Sequence, residues 1–113
     1  MEPGDIFNLR VPRAVDTEKP RPVLVVAIGP TGPNEDKVVV IAPMSSASRL
    51  FEKPYRGDLI LDDWREFSLS EPSVLRCRHI QGVPHHWLSE TPRGRVDAET
   101  LRKAQEIARR LLA

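Results

Sequence analysis

The sequence holds one cysteine, few aromatics, no long apolar run and no large excess of either charge, and each shortage excludes something. A lone Cys77 permits no internal disulfide, which fits a reducing compartment, so a cytoplasmic location is expected. Phe, Trp and Tyr make up only 5% of the chain, so aliphatic side chains must build the core. No 18-residue apolar stretch occurs, so no membrane-spanning helix is expected. The opening MEPGDIF lacks the basic-then-apolar pattern of a signal peptide. Seventeen Lys and Arg against sixteen Asp and Glu give +1, which excludes a histone-like polybasic chain. Any nucleic-acid surface must then be a local patch. Neither G-x-x-x-x-G-K-[ST], G-x-G-x-x-G nor G-x-S-x-G occurs, so no nucleotide cradle or esterase elbow is signalled.

What the chain does have is proline and arginine. Eleven prolines in 113 residues are about twice the usual ~5%, and they run through the first 92 residues, which excludes a helical bundle there. Thirteen of the seventeen basic residues are Arg, the better residue for bidentate phosphate contacts. The length suits one domain, 1–113, burying roughly two-thirds of its unfolded surface.

Strands are expected over Asp5–Val11, Pro22–Ile28, Val38–Ala42, Gly57–Leu61 and Ser73–Ile80, with another short one around Trp87. The runs 22–28 and 38–42 are continuous and β-branched, as in strands buried on both faces, and their turn-rich connection makes them a hairpin. Residues 12–20, 45–56 and 62–72 read as loops, with Trp64 and Phe67 packed. Asp97 is a good N-cap, and Leu101, Ala104, Ile107, Ala108, Leu111 and Leu112 recur at helical spacing, so residues 98–112 form an amphipathic helix. Five or six short strands followed by a helix describe a mainly β fold, a small barrel or strongly bent sheet with a helix packed on it.

Several residues have the chemistry for a site. If Ser73–Ile80 is one strand, Arg76 and Arg78 share a face about 7 Å apart, and a phosphate fits between them. The plainer alternative is a solvated strand face. Arg21, flanked by Pro20 and Pro22, has a fixed origin at a strand mouth, or simply marks the strand start. Ser45 and Ser46 follow the other strand and offer hydroxyl donors, or form a turn. Cys77, His79, His85 and His86 lack a second cysteine and the spacing of a zinc site, so no metal is expected.

Together, Gly4-Asp5-Ile6-Phe7, Arg21-Pro-Val-Leu-Val-Val26, Val38-Val-Val-Ile-Ala-Pro-Met-Ser-Ser46, Ser73-Val-Leu-Arg-Cys-Arg78 and the final helix resemble, in order and spacing, the MazF/PemK/Kid toxins of bacterial toxin–antitoxin systems. The resemblance implies an SH3-like barrel with a C-terminal helix and a homodimer. It implies metal-independent, cofactor-free endoribonuclease activity on single-stranded RNA, and a cognate antitoxin as partner. Carried over by motif, the catalytic Arg falls on Arg21, the Thr or Ser after the next strand on Ser45, and the later strand Arg on Arg76. Two residues beyond, where some relatives carry an acid–base Asp, this chain has Arg78. Cleavage through the 2′-hydroxyl needs a base. Glu18 in the loop before Arg21 is the expected base, with Asp16 next. Arg78, Asp16 and Ser46 are expected to bind substrate. Two further readings stand beside this one. The first is a binding module for RNA or protein on the same barrel. The second is a CcdB-like gyrase inhibitor, whose activity needs a C-terminal Trp-containing tail where this chain reads Arg110-Leu-Leu-Ala.

Overall fold

In the computed structural model, residues 1–9, 21–31 and 37–112 are described. Seven strands form a curled antiparallel sheet: β1 (Asp5–Leu9), β2 (Arg21–Thr31), β3 (Lys37–Ser45), β4 (Asp58–Leu61), β5 (Ser73–Arg76), β6 (Gln81–Pro84) and β7 (Gly94–Arg95). A one-turn helix α1 (Arg49–Glu52) follows β3, and a 15-residue helix α2 (Ala98–Leu112) follows β7. This is the expected mainly β architecture with its C-terminal helix, a strongly bent sheet of seven strands where five or six were expected. Helix α1 lies within what the sequence suggested was plain loop. Trp87 sits in a 3₁₀ turn, His85–Trp87, rather than in a strand.

The long strand β3 organises the sheet. One edge pairs with β2 along its length, as the hairpin reading expected. Its other edge is shared: Val38–Ile41 pair with β6, whereas Met44 and Ser45 pair with β5. Pro43, which has no N–H to give, lies where the partner changes. A single straight strand 73–80 cannot serve both halves. The chain leaves β5 at Arg76 and makes a 3₁₀ turn, Cys77–His79, held by the Cys77 N–H on the Gly57 carbonyl at 3.0 Å. It then enters β6. The expected strand Ser73–Ile80 is therefore corrected to four strand residues plus a turn, and the period-two alternation that placed Arg76 and Arg78 on one face ends at Arg76.

The middle of the sheet is buried on both faces, as its β-branched runs require. Leu24 and Val26 join Ile6, Ala42, Met44, Leu75 and Phe67 on one side. Val23 and Val25 join Phe7, Val39, Ile41, Val83 and Leu88 on the other. Burying such side chains is worth roughly 1.5–3 kcal/mol each, which offsets the scarcity of aromatics. Helix α2 covers the first face. Asp97 caps it by accepting the Thr100 N–H at 2.8 Å, and Thr100, through its hydroxyl and this N–H, holds the Asp97 carboxyl below the usual carboxylate range. Ala104 and Ala108 let the helix approach closely, with Leu101 and Ile107 half-buried beside them. The β2–β3 register shifts between Val25 and Ala27, and Gln105 of α2 donates to the Val26 carbonyl at that bulge, at 2.9 Å. Trp64 and Phe67 pack on this same core.

Candidate active site

Antiparallel pairing of Val23 with Pro43 carries the start of β2 to the level of the end of β3. Arg21 and Ser45 therefore meet, and both line a cleft of about 570 Å³ together with Ser46. The loop before β5 supplies the facing wall. Ser68 has φ 64°, a left-handed conformation costing on the order of 1 kcal/mol. After it the chain buries Leu69 and delivers Ser70 and Glu71 to the cleft. Arg93 closes the remaining side. Its backbone N–H bonds to the Ile6 carbonyl at 2.8 Å, and its guanidinium Nη1 donates to Asn8 Oδ1 at 3.1 Å. Among the described residues the cleft thus gathers two guanidiniums, one carboxylate and several hydroxyls. Ser45 Oγ already accepts the Ala47 N–H at 3.3 Å, so its own O–H is free to donate.

Arg76 and Arg78 do not line this cleft. Arg76 Nε donates to Asp58 Oδ1 at 2.9 Å, and the Asp58 side chain is fully buried. The other oxygen of Asp58 accepts the Tyr55 N–H at 2.9 Å, and Arg76 Nη2 lies 3.3 Å from His79 Nε2. Arg78 is exposed, and its guanidinium stacks 4.2 Å from the Tyr55 ring centroid, with that of Arg76 at 5.7 Å. The two side chains do come together, but over Tyr55, and Asp58 already neutralises one of them. Asp16 and Glu18 lie outside the described residues.

Cys77 is buried, and its thiol is pushed up to about 11, by burial first and then by the nearby Asp58 carboxylate. It stays protonated at neutral pH and is no nucleophile there. Among the described residues, no three His, Cys, Asp or Glu side chains gather as a metal-binding group. Among the described residues, no helix is long and apolar enough to cross a membrane.

Sequence reasoning missed Glu71 and Arg93. The signal that singled out Arg21, a charged side chain beside a proline at a strand mouth, is repeated in Glu71-Pro72 before β5 and Pro92-Arg93 before β7.

The model of the PemK-like, MazF-like toxins of type II toxin–antitoxin systems matches residues 2–112. The chain belongs to this family. Among solved structures, this PemK/MazF-like toxin is similar to the Mycobacterium tuberculosis toxin MazF-mt6, with 21% identity and a TM-score of 0.61 over 92% of this chain and 90% of that one. It is also similar to an Mtb toxin crystal structure, with 22% identity and a TM-score of 0.59 over 81% and 92% of the two chains. At such identity these likenesses establish the shared fold. No curated protein sequence matches it.

Proposed function

We propose that this toxin is a metal-independent endoribonuclease that cleaves single-stranded RNA in the cytoplasm, acts as a homodimer, and is neutralised by a cognate antitoxin. One observation carries the reading: in a chain of this family, Arg21, Arg93, Ser45 and Glu71 line one open cleft. The two guanidiniums grip the non-bridging oxygens of a phosphodiester and stabilise the extra charge of the phosphorane. The Ser45 hydroxyl donates to one of those oxygens. The Glu71 carboxylate takes the proton of the 2′-hydroxyl, and the freed O2′ attacks phosphorus. The bond from phosphorus to the 5′-oxygen breaks, and that oxygen takes a proton from water in the cleft. The products are a 2′,3′-cyclic phosphate and a 5′-hydroxyl end.

Glu18, backed by Asp16, is the competing base, because it stands in the loop that leads to Arg21. Ser46 contributes a second hydroxyl at the cleft rim. In this reading Arg76 braces the end of β5 through Asp58 instead of touching the phosphate, and Arg78 adds charge for the RNA strand.

Incubating purified protein with single-stranded RNA in EDTA tests the proposal. Cleavage is expected, lost in Arg21→Ala with binding retained. Comparing Glu71→Gln with Glu18→Gln identifies the base, since only the true base variant loses the acid limb of the pH–rate profile. RNA binding without any cleavage would make the protein a binding module instead. Light scattering is expected near twice 12.8 kDa, and a monomer at high micromolar concentration overturns the dimer.

A further inference from the structure

Beside the cleft lies a second, shallower hollow of about 490 Å³. Ser48, Phe51 and Glu52, at and within α1, form one wall, and Pro72 forms part of the other. Ser46 and Glu71 line both cavities, so the two adjoin. Their chemistry differs. The cleft carries two guanidiniums, whereas among the described residues the lining of the hollow has none. It offers instead the Phe51 ring, the Pro72 ring, two serine hydroxyls and the carboxylates of Glu52 and Glu71. Neither carboxylate has an ion-pair partner among the described residues. A phosphate would be repelled there. A flat ring with an apolar face and N–H donors along its edge suits it, the face on Phe51 and Pro72 and the edge on the Glu52 carboxylate, which leaves Glu71 to the 2′-hydroxyl.

We propose that this hollow holds the nucleobase next to the scissile phosphate and selects a base with a donor edge, guanine foremost. The inference rests on reading the adjoining cleft as the phosphodiester site. In one nucleotide the phosphate and the base are joined through a single sugar, which matches two adjoining cavities that share Ser46 and Glu71. Guanine carries N1–H and its amino group side by side, a donor pair that matches the two oxygens of one carboxylate. Uracil offers a single N–H between two carbonyl oxygens, which face a carboxylate unfavourably. Adenine and cytosine pair one amino group with a ring acceptor and fall between. An acidic peptide is the poorer occupant, since it would meet Glu52 and Glu71 with like charge.

The test uses the full chain and a panel of short single-stranded RNAs that differ only in the base beside the cleavage point. Wild type is expected to favour guanine over uracil by roughly tenfold or more in kcat/KM. Inosine, which lacks the 2-amino group, should forfeit part of that preference. Phe51→Ala should raise KM severalfold for every RNA of the panel with kcat little changed. Glu52→Gln should cut the guanine-to-uracil ratio of kcat/KM severalfold. Phe51 is half-buried; should its replacement unfold the chain, the exposed Glu52 carries the test alone. A base preference identical in wild type and Glu52→Gln, or a preference for uracil, overturns the inference while leaving RNA cleavage standing. So does a Phe51→Ala protein that cuts RNA normally but loses affinity for an antitoxin peptide. A wild type that neither binds nor cuts RNA removes the function on which this inference rests, and the inference falls with it.

Discussion

Arg21 and Arg93 line a cleft, whereas Arg76 and Arg78 crowd a tyrosine on a different part of the surface. All four are arginines at or beside strand ends, and a sequence cannot rank them by residue type. Their neighbours separate them. Arg76 meets a buried carboxylate, and its charge is cancelled within the fold. Arg21 has no ion-pair partner among the described residues and faces an open space with a second guanidinium across it. Arg93 is held by an amide oxygen, which orients the guanidinium and leaves its charge uncancelled. What makes an arginine available to an anion is the absence of a carboxylate paired with it, and that is a property of tertiary structure.

The sharpest way to break this comparison is Arg76→Ala. It leaves Asp58 buried and uncompensated, which typically costs ~3–5 kcal/mol of stability. The lower part of that range is expected, because the Arg76 side chain remains 16% exposed. Chemical denaturation should show the loss as a lower midpoint with an unchanged slope. Arg76→Ala that folds with wild-type stability yet cannot cleave RNA would return Arg76 to the catalytic group. Arg21→Ala should do the reverse. Losing a preorganised donor to the transition state costs on the order of 3–4 kcal/mol in kcat, while the exposed Arg21 side chain contributes little to the denaturation midpoint.

These two arginines also mark what could be read without the structure. The mainly β sheet and its final helix were legible because buried strands and amphipathic helices leave periodic signatures. The meeting of Arg21 and Ser45 is legible too, because they flank the two strands of a hairpin whose pairing the sequence implies. Arg76 and Arg78 were misaligned for a specific reason. Period two holds only while a strand continues, and nothing in Ser73-Val-Leu-Arg-Cys-Arg-His79 announces the 3₁₀ turn that β3 forces by changing partners at Pro43. Glu71 and Arg93 reach the cleft from loops 50 and 72 positions beyond Arg21, and no local pattern encodes a contact at that separation.

Arg93→Ala sharpens the cleft side of the comparison. A hydrogen bond from a charged donor is worth ~1.5–3 kcal/mol, so kcat/KM should fall by roughly ten- to a hundredfold. Some of that loss reflects the contact with Asn8, and Arg93→Lys separates the two contributions. Lysine keeps the charge but not the fork, so it should recover binding before rate. Rate fully restored by lysine would mean that Arg93 acts as a point charge alone.

Arg78→Ala is the gentlest intervention and the one that tests the Tyr55 side on its own terms. Arg78 is exposed and forms no ion pair among the described residues; it rests on the Tyr55 ring, itself 52% exposed. Removing it exposes no buried charge, so stability should change by less than about 0.5 kcal/mol. Its effect should appear in RNA affinity. Each phosphate neutralised by a cation releases condensed counterions, so a strand passing over Arg78 ties its binding constant to salt through that contact. The slope of log K against log salt should then become shallower by about 0.7 in the alanine variant, the value for one single-strand phosphate, with cleavage at saturating RNA unchanged. A Tyr55→Ala variant should weaken binding too, but with the wild-type salt slope, because a stacking ring contributes no counterion release. An unchanged slope in Arg78→Ala would confine the RNA path to the cleft side of the protein and leave Arg78 as a solvated charge on an aromatic surface.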